Sequence, residues 1–223
     1  MAMLNFPKST EFGKKVPKEK FYSRMEISSG MKRFFVEDIE QIVWRYKLAP
    51  STLNVSVGLN VLEIDVLEIS LKRKDYSQAV FEFMDKNLPH HTLFALICGD
   101  EVQLLINYKE AIENRAGKFK ITANYKTDWK PQDQIRLTID GLNMDKVYES
   151  FVAQVADTKL KVEAHENVKD AILQAQAKLR LEKEINSLES KMRNEKQFNL
   201  QLKISTEIKS LAIELQKIKD YLK

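Results

Sequence analysis

The chain reads as an α+β protein: a mainly antiparallel sheet with flanking helices, followed by a C-terminal helical coiled-coil tail. Three observations predict this class. Between residues 52 and 125, apolar residues alternate with polar ones or run continuously in short segments bounded by turn residues, which marks strands. Two segments show helical period: one around Phe34 to Tyr46 precedes the strand-like region, and one around Ala79 to Leu88 interrupts it. From Glu163 to Lys223 there is no Gly or Pro, and apolar residues recur at spacings of four and three.

Taken in order, residues 5–20 hold Pro7, Gly13 and Pro17, which break regular structure, together with Lys8, Lys14, Lys15, Lys18 and Lys20. Residues 1–20 are therefore expected to be a basic N-terminal arm or an extended wrap anchored by Phe6, Phe12 and Val16. Ser28 or Ser29 then opens a helix whose apolar face is Met31, Phe34, Phe35, Ile39, Ile42, Val43 and Tyr46. Pro50 disfavours helical geometry at Ala49, which places the end near Leu48. Trp44 lies beside that face as a core residue.

Thr52 to Val57 alternates as a strand, Gly58-Leu59-Asn60 supplies a turn, and Val61 to Leu71 reads as a long strand. Asp75 to Leu88 is a short helix with Asp75 or Ser77 as its cap and Pro89 as its stop. Thr92 to Cys98 and Val102 to Tyr108 form a hairpin across Gly99-Asp100-Glu101, Phe119 to Tyr125 is a further strand, and Asp128 to Pro131 is a loop. Short connections favour an antiparallel sheet with helices on one face, in a domain over residues 21–157. Asn143 to Val155 begins a helical tail through Met144, Val147, Phe151 and Val155, and Asp157 to Asn167 is a joint before the last segment.

Residues 163–223 form a coiled coil or a helical hairpin. Leu181, Ile185, Leu188 and Met192 make one seam; Ile204, Ile208, Leu211, Leu215, Ile218 and Leu222 make a second. The register slips between Arg193 and Asn199. That slip is either a discontinuity in one long helix or the bend of a hairpin. The lack of Gly or Pro tilts the reading to one helix, which at ~55 residues would reach about 80 Å. An exposed seam needs a partner helix, so these ten residues are the candidate partner-binding set, for another protein or a second copy.

Composition narrows the function classes. The formal net charge is +4 with pI near 8.9, mildly basic and short of a DNA-wrapping protein. Lys14, Lys15, Lys18, Lys20, Arg45 and Lys47 are the candidate nucleic-acid contacts. The single cysteine, Cys98, permits no internal disulfide and sits in an apolar run where a thiol is buried and inert. No run approaches the ~18–20 apolar residues of a membrane span, and the first twenty residues lack a signal-peptide core. A cytoplasmic protein without a membrane partner is the expectation.

Catalytic constellations are weak. His90-His91 point apart on a strand and make a poor chelate, so they read as surface histidines. The six glycines do not fall at the spacing of a phosphate loop. Thr127-Asp128-Trp129 sits in a loop after a strand, where function concentrates, and reads equally well as an Asp-capped turn beside a packed Trp. Glu63, Asp65, Glu68 and Lys72 resemble the acid and lysine set of the restriction-endonuclease core, but Ser70 stands where an acid belongs, and the four divide between two faces of one strand. No catalytic residue, metal ligand or cofactor is assigned.

Several longer motifs carry a family resemblance. Leu4-Asn5-Phe6-Pro7-Lys8-Ser9-Thr10, Val16-Pro17-Lys18-Glu19-Lys20-Phe21-Tyr22 and Lys32-Arg33-Phe34-Phe35-Val36-Glu37 are among them. So are Ile42-Val43-Trp44-Arg45-Tyr46-Lys47-Leu48, Leu67-Glu68-Ile69, Tyr108-Lys109, Thr127-Asp128-Trp129, Gly141-Leu142-Asn143-Met144-Asp145 and Glu195-Lys196-Gln197-Phe198-Asn199. Together they resemble the bacterial family catalogued as domain of unknown function 4391, over nearly the whole chain. The family has no assigned catalytic residues. Its members tend to sit beside helicases and DNA methyltransferases in restriction-modification-like clusters. The resemblance thus implies an accessory subunit of a DNA-handling defence system, with a helicase or DNA methyltransferase as partner. The resulting expectation is a non-catalytic interaction subunit assembling through its C-terminal helices. The alternatives are a nucleic-acid-binding protein using the basic arm and, lower in rank, a divergent metal-dependent nuclease.

Overall fold

The computed structural model describes residues 4–23, 27–112, 119–157, 160 and 168–221. It divides into two compact units, residues 1–157 and 158–223. Among the described residues, seven strands form one sheet: β1 (Glu11–Lys15), β2 (Ile39–Leu48), β3 (Ile64–Leu71), β4 (His91–Cys98), β5 (Glu101–Ala111), β6 (Phe119–Lys126) and β7 (Lys130–Pro131). The spatial order is β1-β2-β3-β4-β5-β6, and β7 pairs with the start of β5. Every pairing is antiparallel except β3 with β4. The first unit also holds the helices α1 (Glu19–Tyr22), α2 (Ser29–Glu37), α3 (Pro50–Leu53), α4 (Gln78–Asn87) and α5 (Met144–Ala156). The α+β class and the mostly antiparallel sheet are as the sequence predicts.

Several elements differ from the sequence reading. The helix opened by Ser28, whose hydroxyl accepts from the Met31 N–H at 3.2 Å, stops at Glu37 rather than Leu48. Ile39–Leu48 is instead strand β2, paired on both sides. Its apolar residues fit helical period and strand burial alike, and the β-branched and aromatic content, with neighbours on both edges, decides for the strand. Thr52 to Val57 is not a strand: Pro50 opens the single turn α3, and only Ser56 makes an isolated bridge, to Asn143. The segment 5–20 lies along the sheet, with β1 as its edge strand.

Helices cover both faces, not one. Alternation puts Leu67, Ile69, Phe94, Leu96 and Leu105 on one face, where they pack with Phe34 and Phe35 of α2 and Phe81 and Met84 of α4. Tyr46, His91 and Tyr108 are on the other. Tyr148 of α5 meets His91 at 4.4 Å and Tyr108 at 6.0 Å between ring centroids, and Phe151 of α5 stacks on Phe6 at 5.7 Å. Helix α5 thus belongs to the head and is not the start of a tail. The parallel β3–β4 pair follows from α4, since two parallel neighbours need a crossover, and a helix is the usual one.

The Gly141 to Asp145 motif has a structural role. Asn143 caps α5 by accepting from the Lys146 N–H at 2.9 Å. Asp145 accepts from the backbone N–H groups of Leu59, Asn60 and Val61 at 2.7, 3.0 and 2.7 Å. A Cβ on Gly58 would stand 2.5 Å from an Asp145 carboxylate oxygen and 2.5 Å from the Val61 carbonyl. Asp145→Ala leaves three N–H groups without their acceptor, and a loss of about 1.5–3 kcal/mol is expected in a urea titration.

The second unit is a hairpin, not one long helix. Helices α6 (Val168–Asn194) and α7 (Phe198–Tyr221) pack along each other, joined by residues 195–197. Lys219 near the end of α7 lies 3.6 Å from Glu182 in α6, so the helices run antiparallel. The Glu195 carboxylate accepts from the Lys196 and Gln197 N–H groups at 2.8 and 2.9 Å, and makes the bend without Gly or Pro. Leu181 and Leu215 are buried; Ile185, Leu188, Met192, Ile204, Ile208, Leu211 and Ile218 are half-buried. Leu222 and most of the predicted joint, 158–159 and 161–167, lie outside the described residues.

Candidate functional site

A polar cluster interrupts the apolar face beneath α4, at the end of the sheet where β3 and β4 begin. Asp85, near the C-terminal end of α4, and Lys109 on β5 form an ion pair at 2.7 Å with both side chains fully buried. The Lys109 ammonium also donates to the carbonyls of Asp85 and His90. Asn107 donates to Asp85 at 2.9 Å and accepts from Asn124 of β6 at 2.9 Å. Burial raises the Asp85 carboxyl pKa and lowers that of the Lys109 ammonium, while their mutual contact opposes both shifts.

On the same face, Lys47 of β2 pairs with Glu63 at 2.8 Å, and Glu63 precedes Asp65 of β3 by two positions. Asp65 lies opposite Thr92 in the parallel register and is 4% exposed. Burial, with the Glu63 carboxylate second, pushes the Asp65 carboxyl up to about 8. His90, one-third exposed, stands 4.0 Å from the Glu63 carboxylate, and with Lys47 forms the solvent side of the cluster.

The opposite face holds β5 from behind. The Tyr148 hydroxyl donates to the Asn107 carbonyl and accepts from the Lys109 N–H, and His91 Nε2 is 3.3 Å from the Lys109 carbonyl. His91 is buried rather than a surface residue, and burial pushes its imidazole down to about 3. It is therefore neutral at pH 7, a packing residue between Tyr148 and Phe119.

The structure scatters the predicted basic set. Lys14, Lys15 and Lys20 are exposed, and Lys14 sits 4.5 Å over the Phe12 ring. The Lys18 ammonium donates to the Ile39 carbonyl at 2.6 Å, just past the end of α2. Arg45 pairs with Glu68 at 2.7 Å on one face of the sheet, whereas Lys47 pairs with Glu63 on the other. The nuclease-like set is also split: Glu63 and Asp65 adjoin, Glu68 is across the sheet with Arg45, and exposed Lys72 follows the far end of β3. Among the described residues, no group of three or more His, Cys, Asp or Glu stands where it could hold a metal ion. Cys98 is half-buried at the end of β4. Trp129 packs against the main core, with the Lys74 ammonium 5.6 Å over its ring.

Lys47 and Lys109 of the polar cluster fall in two of the quoted motifs, Ile42 to Leu48 and Tyr108-Lys109. The family described as domain of unknown function (DUF4391) matches residues 4–215 of the 223. The chain belongs to that family. No curated protein and no solved structure matches it. In this DUF4391 member, the Tyr108-Lys109 motif anchors the buried ion pair, and the Asp145 motif ties α5 to the loop before β3. Among the described residues, no helix is long and apolar enough to cross a membrane.

Sequence reasoning missed Asp85, Asn107 and Lys109. Their signal was present: Asn107 and Lys109 interrupt or end an apolar strand run, and Asp85 lies on the apolar face of α4, four residues after Phe81.

Proposed function

We propose that this chain is a non-catalytic interaction subunit of a DNA-handling defence assembly, and that it docks through its C-terminal hairpin. The observation that carries the reading is the outer face of α7. The described seam residues of the hairpin are buried or half-buried, yet Phe198, Leu202 and Ile213 remain 74%, 58% and 61% exposed. A rotation of about 100° per residue places Leu202 and Ile213 on the side of α7 away from Leu211 and Leu215. Spaced about 16 Å apart along that face, Leu202 and Ile213 offer a partner two apolar anchor points. The defence context rests on the family resemblance alone.

The test is co-purification with the products of neighbouring genes, a helicase or DNA methyltransferase being the expected partner, followed by affinity measurement. The Leu202→Ser, Ile213→Ser double variant is expected to weaken the complex at least tenfold, the loss of about 1.4 kcal/mol or more typical of anchor residues, while leaving thermal melting unchanged. Leu215→Ser should lower the melting temperature of the hairpin, because it opens the inner seam. Unaltered affinity in the double variant would sink the docking surface.

A further inference from the structure

We propose that Glu63 and Asp65 hold one proton between them, forming an internal proton site at the start of β3. The geometry supplies the argument. Glu63 Oε1 and Asp65 Oδ1 are both sealed from solvent, and neither accepts a hydrogen bond. A sealed carboxylate oxygen without a donor is costly, so two of them two positions apart on one face call for a common cause.

The surrounding cations cannot supply it. Lys47, from β2, meets Glu63 Oε2 and hydrogen-bonds neither Glu63 Oε1 nor Asp65 Oδ1. An ammonium has three donors, and those of Lys109, from β5, go to Asp85 Oδ1, the Asp85 carbonyl and the His90 carbonyl. From β4, Thr92 faces Asp65 but carries no charge. His90, from the turn before β4, is 4.0 Å from Glu63 and is not hydrogen-bonded to it. The charge count points the same way. Glu63, Asp65 and Asp85 are three carboxylates set against the two ammonium groups of Lys47 and Lys109.

A single proton resolves both deficits. As an O–H on one carboxyl donating to the other, it satisfies both orphan oxygens and brings the cluster to neutrality. The carboxyl pKa of about 8 at Asp65, raised by burial and then by Glu63, agrees with a proton kept through neutral pH. A metal ion would want a third ligand, and the described residues offer no such group.

The consequence is a pH-dependent stability of definite sign. Unfolded carboxylates release their protons near pH ~4, whereas the folded pair keeps one until about 8. Between those values the folded state binds the extra proton, so stability falls as pH rises and levels off above the upper value. One proton corresponds to at most about tenfold in the unfolding constant per pH unit.

The experiment is denaturant unfolding of the full chain from pH 5 to 9, with Asp65→Asn and Glu63→Gln. Wild type minus Asp65→Asn should give a slope approaching one proton, because the amide supplies a permanent N–H to Glu63. Glu63→Gln should likewise flatten the slope. Infrared difference spectra of the unmodified protein give a second readout that no folding defect can obscure. A protonated carboxyl C=O band should persist at pH 7 and disappear near pH 8. Absence of that band at pH 6 would overturn the proposal. So would an Asp65→Asn slope equal to that of wild type. Stabilisation of wild type but not Asp65→Asn by magnesium or calcium at pH 8.5 would reassign the two oxygens to a cation.

Discussion

Lys109→Met is expected to destabilise the first unit by about 3–5 kcal/mol, enough to unfold a domain of ordinary stability. The ammonium is fully buried and donates to three acceptors, among them the Asp85 carboxylate, which is also fully buried. Removing it strands a negative charge among the apolar residues of α4 and β4. The double variant Asp85→Leu, Lys109→Met removes both charges and should recover most of the loss, because a paired interior charge is worth little more than apolar atoms of the same volume. Urea titration of the single and double variants measures the difference. A single variant as stable as wild type would mean that water reaches Asp85.

Phe81→Ala should cost a similar amount, about 3–5 kcal/mol, by a different route. Phe81 is fully buried in α4, with the rings of Phe34, Tyr76 and Phe94 at 6.1, 5.1 and 5.5 Å. It joins α2, the segment before α4 and the sheet at one point, so its loss leaves a cavity bounded by three elements that cannot all close in. Thermal unfolding of Phe81→Ala and of the milder Phe81→Leu should rank in order of volume removed. Equal melting temperatures would show that the site collapses around the gap.

How much of this was legible depended on whether the local pattern had one solution. The Gly99 hairpin did: two apolar runs flank a turn, and Gly99 adopts φ 60° there. The segment Ile39–Leu48 had two, because residues 39, 42, 43 and 46 are apolar at spacings that suit a helix and also suit a strand with a bulge near Trp44. Only the presence of β1 and β3 on its edges settles the choice, and pairing across tens of residues leaves no mark in a short window. The hairpin bend at Glu195 was hidden similarly, since a side-chain carboxylate does there what Gly or Pro would announce. The proton-sharing pair was half visible. Glu63 and Asp65 could be placed on one face, but the fact that Lys109 has no donor to spare is a property of the assembled sheet.

Strand β1 guards a flank that would otherwise be adhesive. It is short, bulged between Glu11 and Lys14, and carries Lys14 and Lys15 toward solvent, features that discourage a further strand from adding beyond it. Behind it lies β2, twice its length and rich in Ile, Val, Trp and Tyr. A chain trimmed to begin after Lys15 would turn that long strand into the sheet's border and offer its unpaired amides to any neighbouring molecule. Strand β1 therefore bears on colloidal behaviour as well as on folding, and a fragment intended for solution work has to keep it.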